Sequence, residues 1–482
     1  MTRRIFHISN WALAIAFSLF YGLNCDGTMH GIEGDSLFLY TGQFASEMLS
    51  RRGGLANWLG AFITQFYYYP LLGSALVGLL LALLSTGISR FCKSDLLLPL
   101  SLLPSLACAV LLLDPKWTPA LPVALCLCVW FAFAVTRIRI LWLKLACALP
   151  LSVLAWLKIL ECQFYTYAEA PVKTYYILLA VTAAICVVSA VVPQRKMKWI
   201  PSLLTVLISA CAAVIIPGKV DKLQEEIADY SYMVRVRDWD GILSKASSKK
   251  TSSPLSTNAV NLALAMKGRL GDEMFSYYQS GPRSLVNFEE RKISSEILYL
   301  LGFVNEARHL TFEDMAGNPS RDRGVYHLTR LANYNAVDSL RRPVADRYIR
   351  TLHKTLFYRD FVPEQLVGPE MEPDEDFFFD YGNFCQMLGF LYHQKPDNTR
   401  AADYFAAALL LDKQIKLFSS FFTDSEDNPR SWKEAFQVTR SMNGGETAPE
   451  LQEYVNAYNA CRGNINGMGR YSKTYWYYFN FR

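Results

Sequence analysis

About seven apolar runs, each long enough to cross a membrane, lie in the first 217 residues of this chain of 482 residues. They are centred on residues 9–24, 66–87, 96–113, 118–136, 140–157, 174–192 and 199–216. A helix crosses a bilayer with about 20 mostly apolar residues, so each run predicts a span. Since backbone groups must be hydrogen-bonded internally in lipid, the runs predict an all-α, polytopic transmembrane helix bundle.

The composition changes near Pro217. Residues 218–482 are rich in charge and tyrosine, and no stretch among them is long enough to cross a bilayer. The sequence therefore predicts two domains, a transmembrane domain over residues 1–217 and a water-soluble domain over residues 218–482.

Basic residues are concentrated in one set of short loops. That set holds Arg3, Arg4, Arg90, Lys93, Arg137, Arg139, Arg195, Lys196 and Lys198. The positive-inside rule places these loops, and the N-terminus, in the cytoplasm of a bacterial plasma membrane. An odd number of spans then places residues 218–482 outside the cytoplasm. The net charge of +5 is interpreted as part of this topology signal. The expected partner is therefore the lipid bilayer, and no nucleic acid is expected as a partner.

The first outer loop, residues 25–65, is the longest between predicted spans. Apolar residues recur with a helical period over Ser36–Leu49 and again over residues 55–63, and Gly53-Gly54 separates the two stretches. This pattern predicts two amphipathic helices lying on the outer membrane surface.

The same loop carries the side chains best suited to catalysis or ligand binding. They are Asp26, His30, Glu33, Asp35, Glu47, Arg51 and Arg52. Glu33 and Asp35, separated by one glycine, can hold a divalent cation such as Mg²⁺ or Mn²⁺, or one of them can act as a general base. Arg51 and Arg52, with His30 beside them, are candidate contacts for a phosphate. The alternative is a solvated loop whose charges keep it out of the bilayer.

A repeat signature lies in the predicted soluble domain, over Asn383–Asp412. Six of eight signature positions of a tetratricopeptide (TPR) unit are matched, by Leu388, Gly389, Tyr392, Ala401, Phe405 and Ala408. Weaker copies lie at Leu301–Ala307, at Ala345, Ile349 and Leu352 after a helix that ends near Tyr334–Ala336, and over Asn258–Tyr278. Together they predict a TPR-like α-solenoid of four or five helix pairs. The aromatic run Tyr475–Phe481 is interpreted as a packed tail, with an aromatic ligand-binding strip as the alternative.

The membrane half resembles the GT-C superfamily of glycosyltransferases, which use polyprenyl-phosphate-linked sugars. The resemblance rests on the cytoplasmic N-terminus, the long first outer loop and the acid-x-acid motif Glu33–Asp35. It implies that Asp35, with Glu33 beside it, is the catalytic or metal-binding acid, and that a lipid-linked sugar is the donor. The whole chain also resembles an uncharacterised family of bacterial polytopic membrane proteins with a C-terminal TPR-like domain.

Two functions follow from these patterns. The first is a membrane protein that presents a helical-repeat domain outside the cytoplasm for a protein partner or for envelope assembly. The second is a GT-C-like enzyme. No P-loop, nucleophile elbow, zinc-protease helix or zinc-finger spacing occurs in the sequence to indicate another chemistry.

Overall fold

A computed structural model describes residues 2–160, 172–193, 199–317, 324–375, 378–461 and 465–481. Every regular element within these ranges is a helix, so the all-α prediction is confirmed. Three of the basic loop residues used to predict the topology, Arg195, Lys196 and Lys198, lie outside the described residues.

Ten α-helices precede Pro217. They are α1 (Thr2–Asn24), α2 (Asp26–Gly34), α3 (Gly42–Ser50), α4 (Gly54–Thr64), α5 (Pro70–Ser89), α6 (Leu103–Leu111), α7 (Ala120–Thr136), α8 (Leu141–Ala155), α9 (Val172–Val191) and α10 (Ile200–Ile215). Short 3₁₀ turns cover Gln65–Tyr68 and Asp95–Leu102.

Apolar helices lie at all seven predicted span positions. Five helical stretches in the described residues are long and apolar enough to cross a membrane: Thr2–Asn24, Pro70–Ser89, Leu141–Ile159, Lys173–Val191 and Ile200–Lys219. The other two, Asp95–Leu111 and Ala120–Thr136, are shorter. Pro99 lies within the 3₁₀ turn that begins the stretch Asp95–Leu111. Proline interrupts α-helical hydrogen bonding, which accounts for the 3₁₀ conformation there. These helices indicate association with a membrane.

Fourteen further α-helices are described after Pro217. They are α11 (Lys222–Arg235), α12 (Trp239–Ser248), α13 (Pro254–Met266), α14 (Leu270–Glu273), α15 (Arg291–Leu301), α16 (Val304–Ala316), α17 (Val325–Ala336), α18 (Arg342–Leu352), α19 (Phe384–Gln394), α20 (Thr399–Leu411), α21 (Ile415–Phe421), α22 (Arg430–Met442), α23 (Pro449–Ala460) and α24 (Tyr475–Phe481).

The chain divides into two units by its internal contacts. Unit 1 comprises Met1–Ala228 together with two later segments, Met315–Thr329 and Arg347–Val362. Unit 2 comprises Asp229–Asp314, Arg330–Asp346 and Pro363–Arg482. Each unit is therefore assembled from three separate stretches of chain. That the chain leaves the membrane for good near Pro217, between domains 1–217 and 218–482, stays a prediction.

Helices α19 and α20 form a hairpin at the position of the repeat signature. Leu388, Ala401, Phe405 and Ala408 are buried in the core of unit 2, and Tyr392 packs against that core. A methyl group added at Gly389 would lie 3.3 Å from the Phe405 ring, which explains why a small residue stands there. The turn between α15 and α16 begins at Gly302, which ends α15 with a φ of 108° that favours glycine. That these helices form a TPR-like solenoid stays a prediction.

The aromatic C-terminus is a packed helix, as interpreted from the sequence. Tyr475, Trp476, Tyr477 and Tyr478 of α24 are buried in unit 2. The Tyr478 hydroxyl donates to the Leu411 carbonyl at 2.7 Å, and the Trp476 indole donates to the Glu434 carbonyl at 3.2 Å. These bonds satisfy the polar ends of large buried rings, so the helix acts as a core element of unit 2.

A buried ion cluster holds α15 and α17 of unit 2 to the turn between α11 and α12. Glu296 of α15 forms ion pairs with Arg237 of that turn and with Arg330 of α17, and it accepts from the Tyr334 hydroxyl at 2.9 Å. The side chains of Glu296, Arg330 and Arg237 are 2%, 4% and 13% exposed. Burial alone would raise the pKa of the Glu296 carboxyl, but the two arginines and the tyrosine outweigh it and hold that pKa below 4.5.

Glu296→Gln is expected to lower the free energy of unfolding of unit 2 by about 3 kcal/mol, because it removes the buried charge that pairs with Arg330 and leaves Arg237 only the more exposed Glu364. The midpoint of thermal unfolding in detergent would show it. Glu313→Gln is the matched control, since Glu313 pairs with Arg291 at 3.3 Å on the surface, where such pairs contribute about 0–1 kcal/mol. Equal shifts for the two variants would contradict the prediction.

The stability difference between wild type and Glu296→Gln should also depend on pH. The folded pKa of Glu296 is lowered, so its stabilising contribution is complete above the ordinary value of 4.5 and is lost as the pH falls through the folded pKa. The difference in unfolding midpoint between wild type and Glu296→Gln should therefore be constant near neutral pH and shrink below about pH 4. A difference that grows on acidification would refute it.

Candidate functional site in the first outer loop

Helix α2, which carries Asp26, His30 and Glu33, has a sequence that forms helix poorly. It has nine residues and three glycines, too short and too flexible to be stable alone. Seven of the nine residues are nevertheless buried. Contacts from elsewhere in unit 1 must therefore hold it in place.

The first of these contacts is at the N-terminus of α2. No side chain of the adjoining residues caps this end. The carboxylate of Glu225 accepts instead from the backbone N–H of Gly27 at 2.8 Å and from the N–H and hydroxyl of Thr28 at 3.2 and 2.5 Å. A carboxylate here satisfies exposed N–H groups and complements the positive end of the helix dipole.

The second contact is at the other end of α2. The Tyr358 hydroxyl donates to Glu33 Oε1 at 2.8 Å, and Glu33 is 4% exposed. Tyr358 lies in the later segment Arg347–Val362, which belongs to unit 1. The acid of the acid-x-acid motif is thus tied to a residue 325 positions away.

The chain after α2, over residues 36–40, forms no helix or strand and is hydrogen-bonded to the same later segments. Ser36 accepts from the N–H of Val325 at 3.0 Å, and the N–H of Tyr40 donates to the Lys354 carbonyl at 2.9 Å. The first predicted amphipathic helix accordingly begins at Gly42 rather than at Ser36. A side chain at Gly324 would collide with the backbone of Gly34 and Asp35, so the approach is close.

Apolar packing reinforces these bonds. A small core joins the loop to the later segments, and its members are Val325, Leu328 and Leu352 with Leu37, Tyr348, Tyr358 and Phe361 against them. Phe357 stacks on Tyr68, with ring centroids 4.8 Å apart, and its ring also meets Tyr69 at 5.5 Å. Offset or edge-to-face ring pairs of this kind each add about 0.5–1.5 kcal/mol to area burial.

A small cleft, with room for about one water molecule, opens beside Glu33. Its lining residues are Glu33, Ser36, Phe38, Ala61, Gln65, Val325, Thr355, Leu356, Phe357 and Tyr358. Glu33 contributes the sole carboxylate of this lining, and Gln65 and Tyr358 contribute hydrogen-bonding groups. The cleft can therefore accept a small polar group next to a buried acid.

The structure brings together some of the sequence-predicted site residues. Glu33 and Asp35 are adjacent at the C-terminal end of α2, where Asp35 is half-buried, and His30 is buried one turn earlier. Arg51 and Arg52 are exposed between α3 and α4. That turn is next to Leu157 and Lys158, at the opposite end of α4 from Ala61 and Gln65 of the cleft.

Helix α4 has 11 residues, so its two ends are about 15 Å apart. The two arginines and the acid pair therefore occupy opposite ends of the α3–α4 hairpin. Glu47 is exposed and accepts from the side-chain amide of Gln43 at 3.0 Å. That Glu33 and Asp35 are catalytic or hold a metal, and that His30, Arg51 and Arg52 contact a donor phosphate, stay predictions.

Sequence reasoning missed the two residues that fix α2, Glu225 and Tyr358. Each is an ordinary polar residue about 200 or more positions from its partner, and no local pattern distinguishes it. The sequence Tyr67-Tyr68-Tyr69 concentrates aromatic rings in this region. It gave no indication that Phe357 would join it.

Comparison with known proteins places the whole chain in one family. A family model matches residues 2–482. The chain belongs to DUF6057, a family of unknown function. Because the DUF6057 match includes both units, the membrane helices and the later helical region belong to the same family. No curated protein and no solved structure matches the chain.

Tyr358→Phe is expected to lower the free energy of unfolding by about 1.5–3 kcal/mol, because it removes a hydrogen bond to a buried carboxylate. In a Glu33→Gln background the same change should cost less than half as much, since its partner has lost its charge. Unfolding midpoints of the two single variants and the double variant in detergent measure this coupling.

Tyr40→Phe is the matched control for that cycle. The Tyr40 hydroxyl donates to Gln65 Oε1 at 3.1 Å on the exposed side of the same loop, so its loss should change stability by less than about 0.5 kcal/mol. Strictly additive effects of Tyr358→Phe and Glu33→Gln would show that the contact does not support the loop.

Proposed function

We propose that this protein is a membrane-anchored scaffold that presents unit 2, a TPR-like helical domain, to a protein partner outside the cytoplasm. The observation that carries the proposal is the burial of Glu33 and its bond to Tyr358. Glu33, one of the two candidate acids of the first loop, is used to hold that loop against the later segments of unit 1. Glu33 therefore has a structural role, which leaves less of the Glu33 carboxylate accessible for catalysis.

Unit 2 supplies an apolar surface suited to a partner. Leu417 and Phe421 are one turn apart on α21, and they are 43% and 44% exposed. The Phe421 ring lies 5.0 Å from that of Phe405 and 6.5 Å from that of Tyr392. The exposed pair is therefore continuous with the α19–α20 hairpin, and an exposed apolar edge on a helical-repeat surface favours protein recognition.

The second candidate is a GT-C-like glycosyltransferase, favoured by the cleft beside Glu33. An acid that lines a cleft next to a half-buried aspartate can act as a base or hold a divalent cation. In this scheme Asp35 is the base or metal ligand and Glu33 orients it. The donor would be a polyprenyl-phosphate-linked sugar.

A photo-crosslinking residue at position 417, in the full chain expressed in cells, tests the first proposal. We expect one discrete crosslinked protein, which Phe421→Asp abolishes and Asp35→Asn leaves unchanged. The same probe at Lys250, an exposed residue elsewhere on unit 2, is the control and should give no such product.

Purified protein supplied with polyprenyl-phosphate-linked sugar tests the alternative. Sugar transfer that requires Mg²⁺ or Mn²⁺ and is abolished by Asp35→Asn, with no crosslinked partner at position 417, would replace the scaffold proposal by the enzyme.

A further inference from the structure

Helix α18 presents two faces of opposite character within unit 1. Tyr348 and Leu352 belong to the small core that packs on Leu37 of the first loop. Arg347, Arg350 and Lys354 follow the same spacing on the other side, and all three are exposed. We call these three residues the basic stripe.

The basic stripe has no counter-charge among the described residues. Other exposed arginines nearby are paired, as Arg342 is with Asp346 at 3.6 Å, whereas none of the three stripe residues makes an ion pair or a side-chain hydrogen bond within the described chain. Basic residues in a last helical turn complement the helix dipole, which accounts for Arg350. The dipole does not account for Arg347, in the middle of the helix, or for Lys354, beyond its end.

The C-terminal residue of the basic stripe, Lys354, lies near the N-terminal end of α5. Phe357 stacks on Tyr68 and touches Tyr69, and Pro70 is the first residue of the apolar helix α5. Lys354 precedes Phe357 by three residues, so it lies within about 11 Å of it. Tyrosines at the end of a membrane span mark the headgroup region of a bilayer. With α5 in a bilayer, Lys354 therefore lies near headgroup depth, and Arg350 and Arg347 lie one and two helical turns from it along the chain.

We propose that the basic stripe binds the phosphate groups of anionic phospholipids. Three positive charges without ion-pair partners in the described part of the chain, near an aromatic cluster at the start of α5, complement a surface of negative headgroups. The contact would hold the segment Arg347–Val362, and with it Tyr358, at the membrane surface. The proposal depends on insertion of α5 into the membrane and not on the partner proposed for unit 2.

The test uses the full chain in a nonionic detergent, titrated with phosphatidylglycerol or phosphatidylcholine of identical acyl chains. Native mass spectrometry counts the lipid bound. We expect tighter binding of phosphatidylglycerol, and loss of that preference in the triple variant R347Q/R350Q/K354Q. A charge near an anionic surface changes affinity about fivefold, so the triple variant should bind phosphatidylglycerol about 100-fold more weakly.

A second triple variant, K250Q/R283Q/K416Q, is the control. It removes the same charge from exposed positions of unit 2 and should keep the preference for phosphatidylglycerol. R347K/R350K/K354R conserves charge and should also keep it, which separates loss of charge from loss of folding. Unchanged lipid affinity in R347Q/R350Q/K354Q would overturn the proposal.

Inorganic phosphate distinguishes a lipid headgroup from a soluble anion. Millimolar phosphate should displace little phosphatidylglycerol, since the lipid is also held by its acyl chains. Complete displacement at that concentration would assign the stripe to a free anion and overturn a lipid site.

Discussion

The loop of residues 25–65 depends on two hydrogen-bonded contacts that hold a helix unable to form by itself. Helix α2 has three glycines in nine residues, and the free energy of its own backbone bonds cannot offset the entropy of ordering them. The carboxylate of Glu225 satisfies its N-terminus and the hydroxyl of Tyr358 reaches its last turn. The positions of His30, Glu33 and Asp35 follow from these two contacts.

That dependence explains why unit 1 includes later segments of the chain. Residues 36–40 form no helix or strand, so their backbone groups need hydrogen-bond partners outside the segment. Val325 and Lys354 supply them, and Leu37 adds apolar contact with Leu352. A sheet is not required, since two isolated backbone bonds and a small core are enough to fix a five-residue segment. The first loop is therefore an assembly of local and distant chain.

The sequence predicted the parts of this fold that depend on local composition. Apolar helices lie at the predicted span positions, and the break at Gly53-Gly54 separates α3 from α4. Helix α1 begins at Thr2 instead of near residue 9, because Arg3 and Arg4 lower hydropathy without stopping a helix. The contacts of Glu225 and Tyr358 could not be predicted, since each joins residues about 200 or more positions apart and depends on the tertiary fold.

The same contacts determine how a functional test can be interpreted. Deleting residues 218–482 would remove the domain offered to a partner, but it would also remove Glu225, Val325 and Tyr358. The first loop would then lose the groups that order α2, and with them the placement of Glu33 and Asp35. A loss of function after such a deletion would fit a scaffold and an enzyme equally well. Substitutions that alter Leu417 and Phe421, or Asp35 alone, separate the two functions because each leaves the supports of α2 intact.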